Sequence, residues 1–215
     1  MYWYQFLSVG SLCVCFGACL WHFFRLIRLG KPKDLSKKSG SVARAGLYSY
    51  TTAMLPAQKE SVYLHLPTFT AGVFFHIGVF VSLLLFVVFF FVNPAVFQDY
   101  LILAVLILLL SFGLAVSTIC GFLLFLKRLF SKKIRELSTL DDYLSAFLTV
   151  LFQAFTAFYL FFGDSLGVYY YVFVSLFLLY LPVGKMRHVV YFFAARYQLG
   201  FFYGWRNSWP PRKNY

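Results

Sequence analysis

Two histidines carry most of the chemistry this sequence has to offer. His76 lies in FFHIGVF, residues 74 to 80, within an apolar run that continues to Phe91. His188 lies in GKMRHVVYFF, residues 184 to 193. Neutral imidazole is a good iron ligand, and apolar surroundings keep it neutral because burial disfavours the charged form. The competing reading of either residue alone is a side chain that hydrogen-bonds between helices.

The elements that must position these residues are membrane helices. Of 215 residues, 61% are hydrophobic, 23% aromatic and only 12% charged. About 20 helical residues cross the ~30 Å hydrocarbon layer, and five apolar segments qualify: 4–24, 68–92, 101–126, 143–163 and 168–190. The predicted fold is an all-α integral membrane protein, a five-transmembrane-helix bundle in a single domain spanning 1–215. A transmembrane barrel would show short segments of alternating polarity, and these runs are continuous. The first segment has no basic start and is followed by its positive charges, so it reads as retained rather than as a cleaved signal.

Lys and Arg in short loops stay cytoplasmic. Eight of the 19 lie between segments one and two, five between three and four, and six from the end of segment five onward. The opposite loops, 93–100 and 162–167, hold none. The N-terminus is therefore expected outside and the C-terminus in the cytoplasm, with a cytoplasmic loop over 25–67 and a cytoplasmic tail over 191–215.

In this topology segment two reaches His76 about nine residues after Pro67, about 13 Å along a helix. Segment five runs the other way and reaches His188 near its cytoplasmic end. Similar depth on antiparallel helices is the arrangement that clamps a flat cofactor in a bundle, and haem is the obvious one. His22, in the aromatic and basic WHFFRLIR, reads as an interfacial anchor and a weak ligand candidate. His65, just before Pro67, reads as a surface residue or a contact to a haem propionate or a quinone.

Other classes fit less well. The net charge of +12 is partitioned by topology, so anionic lipid is a sufficient partner for most of it and no nucleic acid is implied. Cys13, Cys15, Cys19 and Cys120 have no CxxC spacing, which argues against zinc or an iron–sulfur cluster in this chain. A channel or transporter would need polar or charged residues lining a route through the middle of the membrane, and the outer halves of these helices offer almost none, with Phe and Leu prevailing. A stand-alone enzyme would need a nucleophile or carboxylate pair in a cleft. A haem-free membrane anchor for a cytoplasmic oxidoreductase explains topology and charge equally well.

Beyond these readings, FFHIGVF, LFSKKIRELSTLDDYLSAFLTVLFQAF (129–155) and LFLLYLPVGKMRHVVYFFAARYQLG (176–200) resemble the gamma-subunit-like cytochrome b family of respiratory nitrate reductase. YSYTTAMLPAQKESVYLHLPTFTAG (48–72) is more similar to its relatives in heterodisulfide-reductase-like and sulfite-reduction-associated complexes. The resemblance implies that His76 and His188 are the two ligands of the inner haem. It also implies that the second ligand pair of two-haem members falls at Phe86 and Tyr170, so that both outer ligands are missing and one haem b is expected.

The function so implied is that of an electron-transfer subunit of a quinone-linked oxidoreductase, not catalytic alone, in the inner (cytoplasmic) membrane. It would pass electrons between menaquinone or ubiquinone and a cytoplasmic iron–sulfur subunit, heterodisulfide-reductase-like or ferredoxin-like. Further membrane or periplasmic cytochrome subunits would complete the complex. The direction of flow stays open. Arg44, Lys59, Lys185 and Arg187 are near enough to the inner face to neutralise haem propionates, although positive-inside topology explains them equally well.

Overall fold

Apolar runs of this length become helices because hydrocarbon offers no partner to a backbone N–H or C=O, so each must be satisfied within its own segment. The computed structural model describes residues 2–30, 34–58, 60–93 and 100–211, and no strand occurs among them. The helices are α1 (Trp3–Arg28), α2 (Val42–Tyr50), α3 (Leu66–Val88), α4 (Leu101–Phe130), α5 (Lys132–Glu136), α6 (Leu140–Phe162), α7 (Gly167–Tyr180) and α8 (His188–Trp205). Four helices, α1, α3, α4 and α6, are long and apolar enough to cross a membrane, and α7 with α8 makes a fifth crossing if the broken pair is one span.

Local chemistry sets the ends. α1 finishes on Arg25 and Arg28, and α4 on Lys127 and Arg128, cations that complement the negative C-terminal end of the helix dipole. Thr139 caps α6 in a capping box with Asp142, which satisfies two otherwise orphaned backbone donors. The loop expected over 25–67 contains α2, capped by the Ser41 side chain, which accepts from the Arg44 backbone N–H.

The fifth apolar segment departs from expectation. It is not one helix over 168–190: α7 stops at Tyr180, and α8 begins only at His188 and runs to Trp205, through the stretch expected to be tail. Pro182 has no N–H to continue the ladder. Gly184 then lies where a Cβ would collide with the Tyr180 ring, so the chain folds back under that side chain. Met186, beyond the break, is buried, with its Sδ 3.7 Å from the Thr149 hydroxyl that donates to it.

The chain divides into two compact units. The first comprises Met1–Phe16 and Leu66–Met186; the second comprises Gly17–His65 and Arg187–Tyr215. In the first, α4 packs on α3 and α6, and α6 on α7. Charge collects at one end, where Lys127 donates to Thr68 at 2.5 Å and Asp142 pairs with Lys185 at 2.5 Å and Arg128 at 3.3 Å. The other end is aromatic: Phe86, Phe89, Tyr159, Tyr170 and Tyr171 are all buried. In the second unit α2 and α8 run antiparallel at backbone contact. A Cβ on Gly200 would lie 2.7 Å from Gly46 Cα, and one on Gly204 would lie 2.6 Å from Ala45 Cβ. Ser49 donates to the Arg196 carbonyl at 2.9 Å and Tyr50 to that of Phe193 at 2.6 Å. This is the small-residue packing that lets membrane helices approach closely.

Candidate functional site

His76 lies close to the middle of α3, on the exposed side of the helix. Its Nδ1 is 2.6 Å from the Gly72 carbonyl oxygen. A carbonyl can only accept, so Nδ1 carries the proton and the Nε2 lone pair is left pointing off the helix, the tautomer an axial ligand needs. Gly72, one turn earlier on the same face, would meet nothing within 4 Å if it carried a Cβ. A planar group could therefore approach the backbone beside the imidazole.

The opposite side of α3 at this level is locked. Ser117 on α4 donates to the Phe74 carbonyl at 2.9 Å, and Gln153 on α6 donates through Nε2 to the Phe75 carbonyl at 3.3 Å. The single Ser117 hydroxyl hydrogen is shared between the Phe74 carbonyl and Gln153 Oε1. Gly78 makes room for this knot, since a Cβ there would run into Ser117 and Gln153. Gly121 likewise makes room for the Phe75 ring, which stands edge-on to the His76 imidazole at 5.8 Å between centroids. Ser117 and Gln153 are buried. Interhelical hydrogen bonds of this kind contribute about 0.6 kcal/mol each on average in a membrane protein, so the knot is worth more as a geometric constraint than as stability.

His188 belongs to the second unit, where it opens α8 and is exposed. His22 is held in the same unit by α8: its Nδ1 is 3.3 Å from the Tyr191 hydroxyl, and Tyr191 lies three residues after His188, on the same helical face. Arg44 on α2 and Arg187 before α8 are exposed. His65 is exposed at the end of the 3₁₀ turn Glu60–His65 that runs straight into α3. Lys59 lies outside the described residues. Lys185 sits in the first unit and is already engaged with Asp142.

Phe86 and Tyr170 meet in the aromatic core of the first unit, with ring centroids 6.4 Å apart. Tyr159 stacks on Tyr170 at 4.5 Å, and Phe89 closes on both at 5.1 and 5.9 Å. The space between these two positions is filled by side chains.

Sequence reasoning missed the polar seam of α6. Ser145, Thr149, Gln153 and Thr156 succeed one another at intervals of four, four and three, which is one face of a helix. Of these, Thr149, Gln153 and Thr156 are buried. Asp141 continues the seam at the charged end, where Tyr180 donates to its carboxylate and lies 2.9 Å from the Ser145 hydroxyl. The spacing was visible in LDDYLSAFLTVLFQAFTAF, but each polar residue stands alone in an apolar run and leaves the hydropathy almost unchanged.

Among the described residues no group of three or more His, Cys, Asp or Glu side chains could hold a metal ion. A haem brings its own equatorial nitrogens and asks the protein only for axial ligands, and an imidazole with fixed tautomer beside an open glycine fits that requirement. The chain matches no protein-family model, no curated protein and no solved structure.

Proposed function

We propose that this chain is the membrane cytochrome b subunit of a respiratory complex, with His76 and His188 as axial ligands of a single haem b. The observation that carries the reading is the His76 imidazole, pinned through Nδ1 to the Gly72 carbonyl with its Nε2 directed off an apolar helix. A bis-histidine haem b supplies one-electron transfer with no open coordination position. The closed aromatic packing of Phe86 on Tyr170 supports one haem rather than two.

The residues divide the remaining work. Arg44 and Arg187, both exposed, are the free-standing candidates for neutralising propionates, with His65 a candidate quinone or propionate contact. Lys185 instead ties the break after α7 to the start of α6 through Asp142. The chain is oriented with its N-terminus outside and its C-terminus in the cytoplasm of an inner membrane, because the Lys- and Arg-bearing loops then share the cytoplasmic side. It exchanges electrons with menaquinone or ubiquinone and with a cytoplasmic iron–sulfur subunit, and further membrane or periplasmic cytochrome subunits complete the path.

The test is the haem-to-protein ratio of the purified chain, by pyridine haemochrome spectrum against amino-acid analysis. One haem per chain is expected, lost in His76→Ala and in His188→Ala and retained in His22→Ala. A wild-type complex without a Soret band overturns the reading in favour of a haem-free membrane anchor.

A further inference from the structure

We infer that Gln153 and Ser117 are positioning residues for the His76 imidazole, acting through the backbone of α3; the inference rests on the haem-ligand reading above. Three observations converge on the same turn. The carbonyls of Phe74 and Phe75, the two residues immediately before His76, each accept a side-chain hydrogen bond from a different neighbouring helix. In an α-helix those carbonyls already serve the amides four residues on, so the added donors fix the position of this turn and not merely its hydrogen-bond count. Two glycines are placed to admit the arrangement: Gly78 receives Ser117 and Gln153, and Gly121 receives the ring of Phe75.

The imidazole has only two torsions of its own. Nδ1 is fixed by Gly72, and one flank of the ring meets the edge of Phe75. With the ring thus tied to its own turn, the direction of Nε2 follows the position of the Phe74–Phe75 backbone, which Ser117 and Gln153 hold from the far side of the helix. Bonds to groups behind a metal ligand set its orientation and basicity, and losing them costs about 10–100-fold in affinity.

The competing role is that of buried polar residues that only join α3, α4 and α6. Thr156 serves as the control, since it lies on the same face of α6 and is equally buried but donates to its own helix at Phe152 rather than to α3.

The experiment uses the full chain, purified in mild detergent, as wild type, Gln153→Leu, Ser117→Ala, Gln153→Glu and Thr156→Val. Haem retention against a haem-scavenging apoprotein, the low-spin EPR signature, the midpoint potential and thermal stability are measured on each. The expected result is a loss of haem retention of about 10-fold or more in Gln153→Leu and Ser117→Ala, with altered EPR signature and potential. Gln153→Glu, whose carboxyl stays protonated in apolar surroundings and still donates to Phe75, restores them, and Thr156→Val changes stability alone. If Gln153→Leu lowers thermal stability but leaves retention, signature and potential at wild-type values, the inference is overturned while the ligand reading stands. If the wild-type chain holds no haem, the reading falls and the inference falls with it.

Discussion

Phe86 and Tyr170 face each other from α3 and α7 with ring centroids 6.4 Å apart. They are 1% and 0% exposed. Around them Phe89, Tyr159 and Tyr171 complete a closed aromatic cluster at the uncharged end of the first unit. Such pairs add about 0.5–1.5 kcal/mol beyond burial itself, and the cluster holds α3, α6 and α7 together where no ion pair does so among the described residues.

Truncation inside this cluster leaves a void that rigid helices cannot collapse into. Phe86→Ala is expected to cost about 3–5 kcal/mol without changing haem content, because the ring lies nearly three helical turns beyond His76. Equilibrium unfolding in mixed micelles, with the haem ratio taken on the folded fraction, checks both halves of the statement.

At the charged end Asp142 serves three groups. It caps α6 by accepting from the Thr139 backbone N–H at 2.8 Å, and it pairs with Lys185 and Arg128. Loss of a cap costs about 1 kcal/mol and partly exposed ion pairs about 0.2–1 kcal/mol each. Asp142→Ala should therefore lose about 1.5–3 kcal/mol, with the ion-pair share shrinking at high salt as screening sets in. Thermal unfolding of wild type and variant at two ionic strengths separates the cap from the charges.

How much of this was legible in the residues depends on what kind of signal carried it. The four long helices were plain because continuous apolarity over about 20 residues has few other readings. The break after Tyr180 was hidden by composition: FLLYLPVG is apolar up to Lys185 and VVYFF resumes after His188, and only the missing N–H of Pro182 and the packing of Gly184 beneath Tyr180 mark the end of the helix. α8 was mistaken for tail because Arg196 and Gln198 interrupt its hydropathy, whereas Gly200 and Gly204, which let it lie against α2, leave no hydropathy signal. His76 was visible as an ionisable residue in an apolar run. The Gln153 knot was not, since a residue's partners on α3 and α4 are a property of packing.

The α2–α8 contact can be broken with one side chain. Gly200→Val places a branched group against the Gly46 backbone, where even a Cβ would lie 2.7 Å from its Cα. Both elements are backbone there and cannot yield, so the pair must separate. Limited proteolysis should then cut between α2 and α3 in the variant under conditions that leave wild type intact, while Gly46→Ala, at a position with open space around it, should remain resistant.

Asp34 provides a pH-dependent tie within the second unit. The Ser36 hydroxyl and amide, and the Arg206 guanidinium at 2.6 and 3.1 Å, hold its carboxyl below the usual carboxylate range. A group whose folded-state pKa is depressed stabilises above its unfolded value, about 3.9 for Asp, and that contribution is lost as pH falls through the folded value. The tie is thus intact at neutral pH and released as pH falls below the usual carboxylate range. Trp205, whose indole donates to the Ser36 carbonyl at 2.8 Å, reports on it: the acid-induced change in tryptophan emission should be smaller in Asp34→Asn than in wild type.

The same contacts bear on how many times the chain crosses the membrane. Asp34 and Ser36 follow α1, while Trp205 and Arg206 end α8, and they bond directly. The two ends are thus together, and in a membrane they would share one face. If α3, α4 and α6 each cross once, an odd number, the broken pair Gly167–Tyr180 and Lys185–Trp205 has to act as a fifth span to keep them there. α7 alone has 14 residues, about 21 Å of helix against ~30 Å of hydrocarbon, so a fifth span would need the residues after its break. A re-entrant α7–α8 would put Trp205 on the opposite face from Asp34 and pull the contact apart. Single cysteines at Ser36 and Ser208 in a cysteine-free background should accordingly share one pattern with a membrane-impermeant maleimide, before and after permeabilisation. Opposite patterns at the two positions would mean that the fifth crossing does not exist.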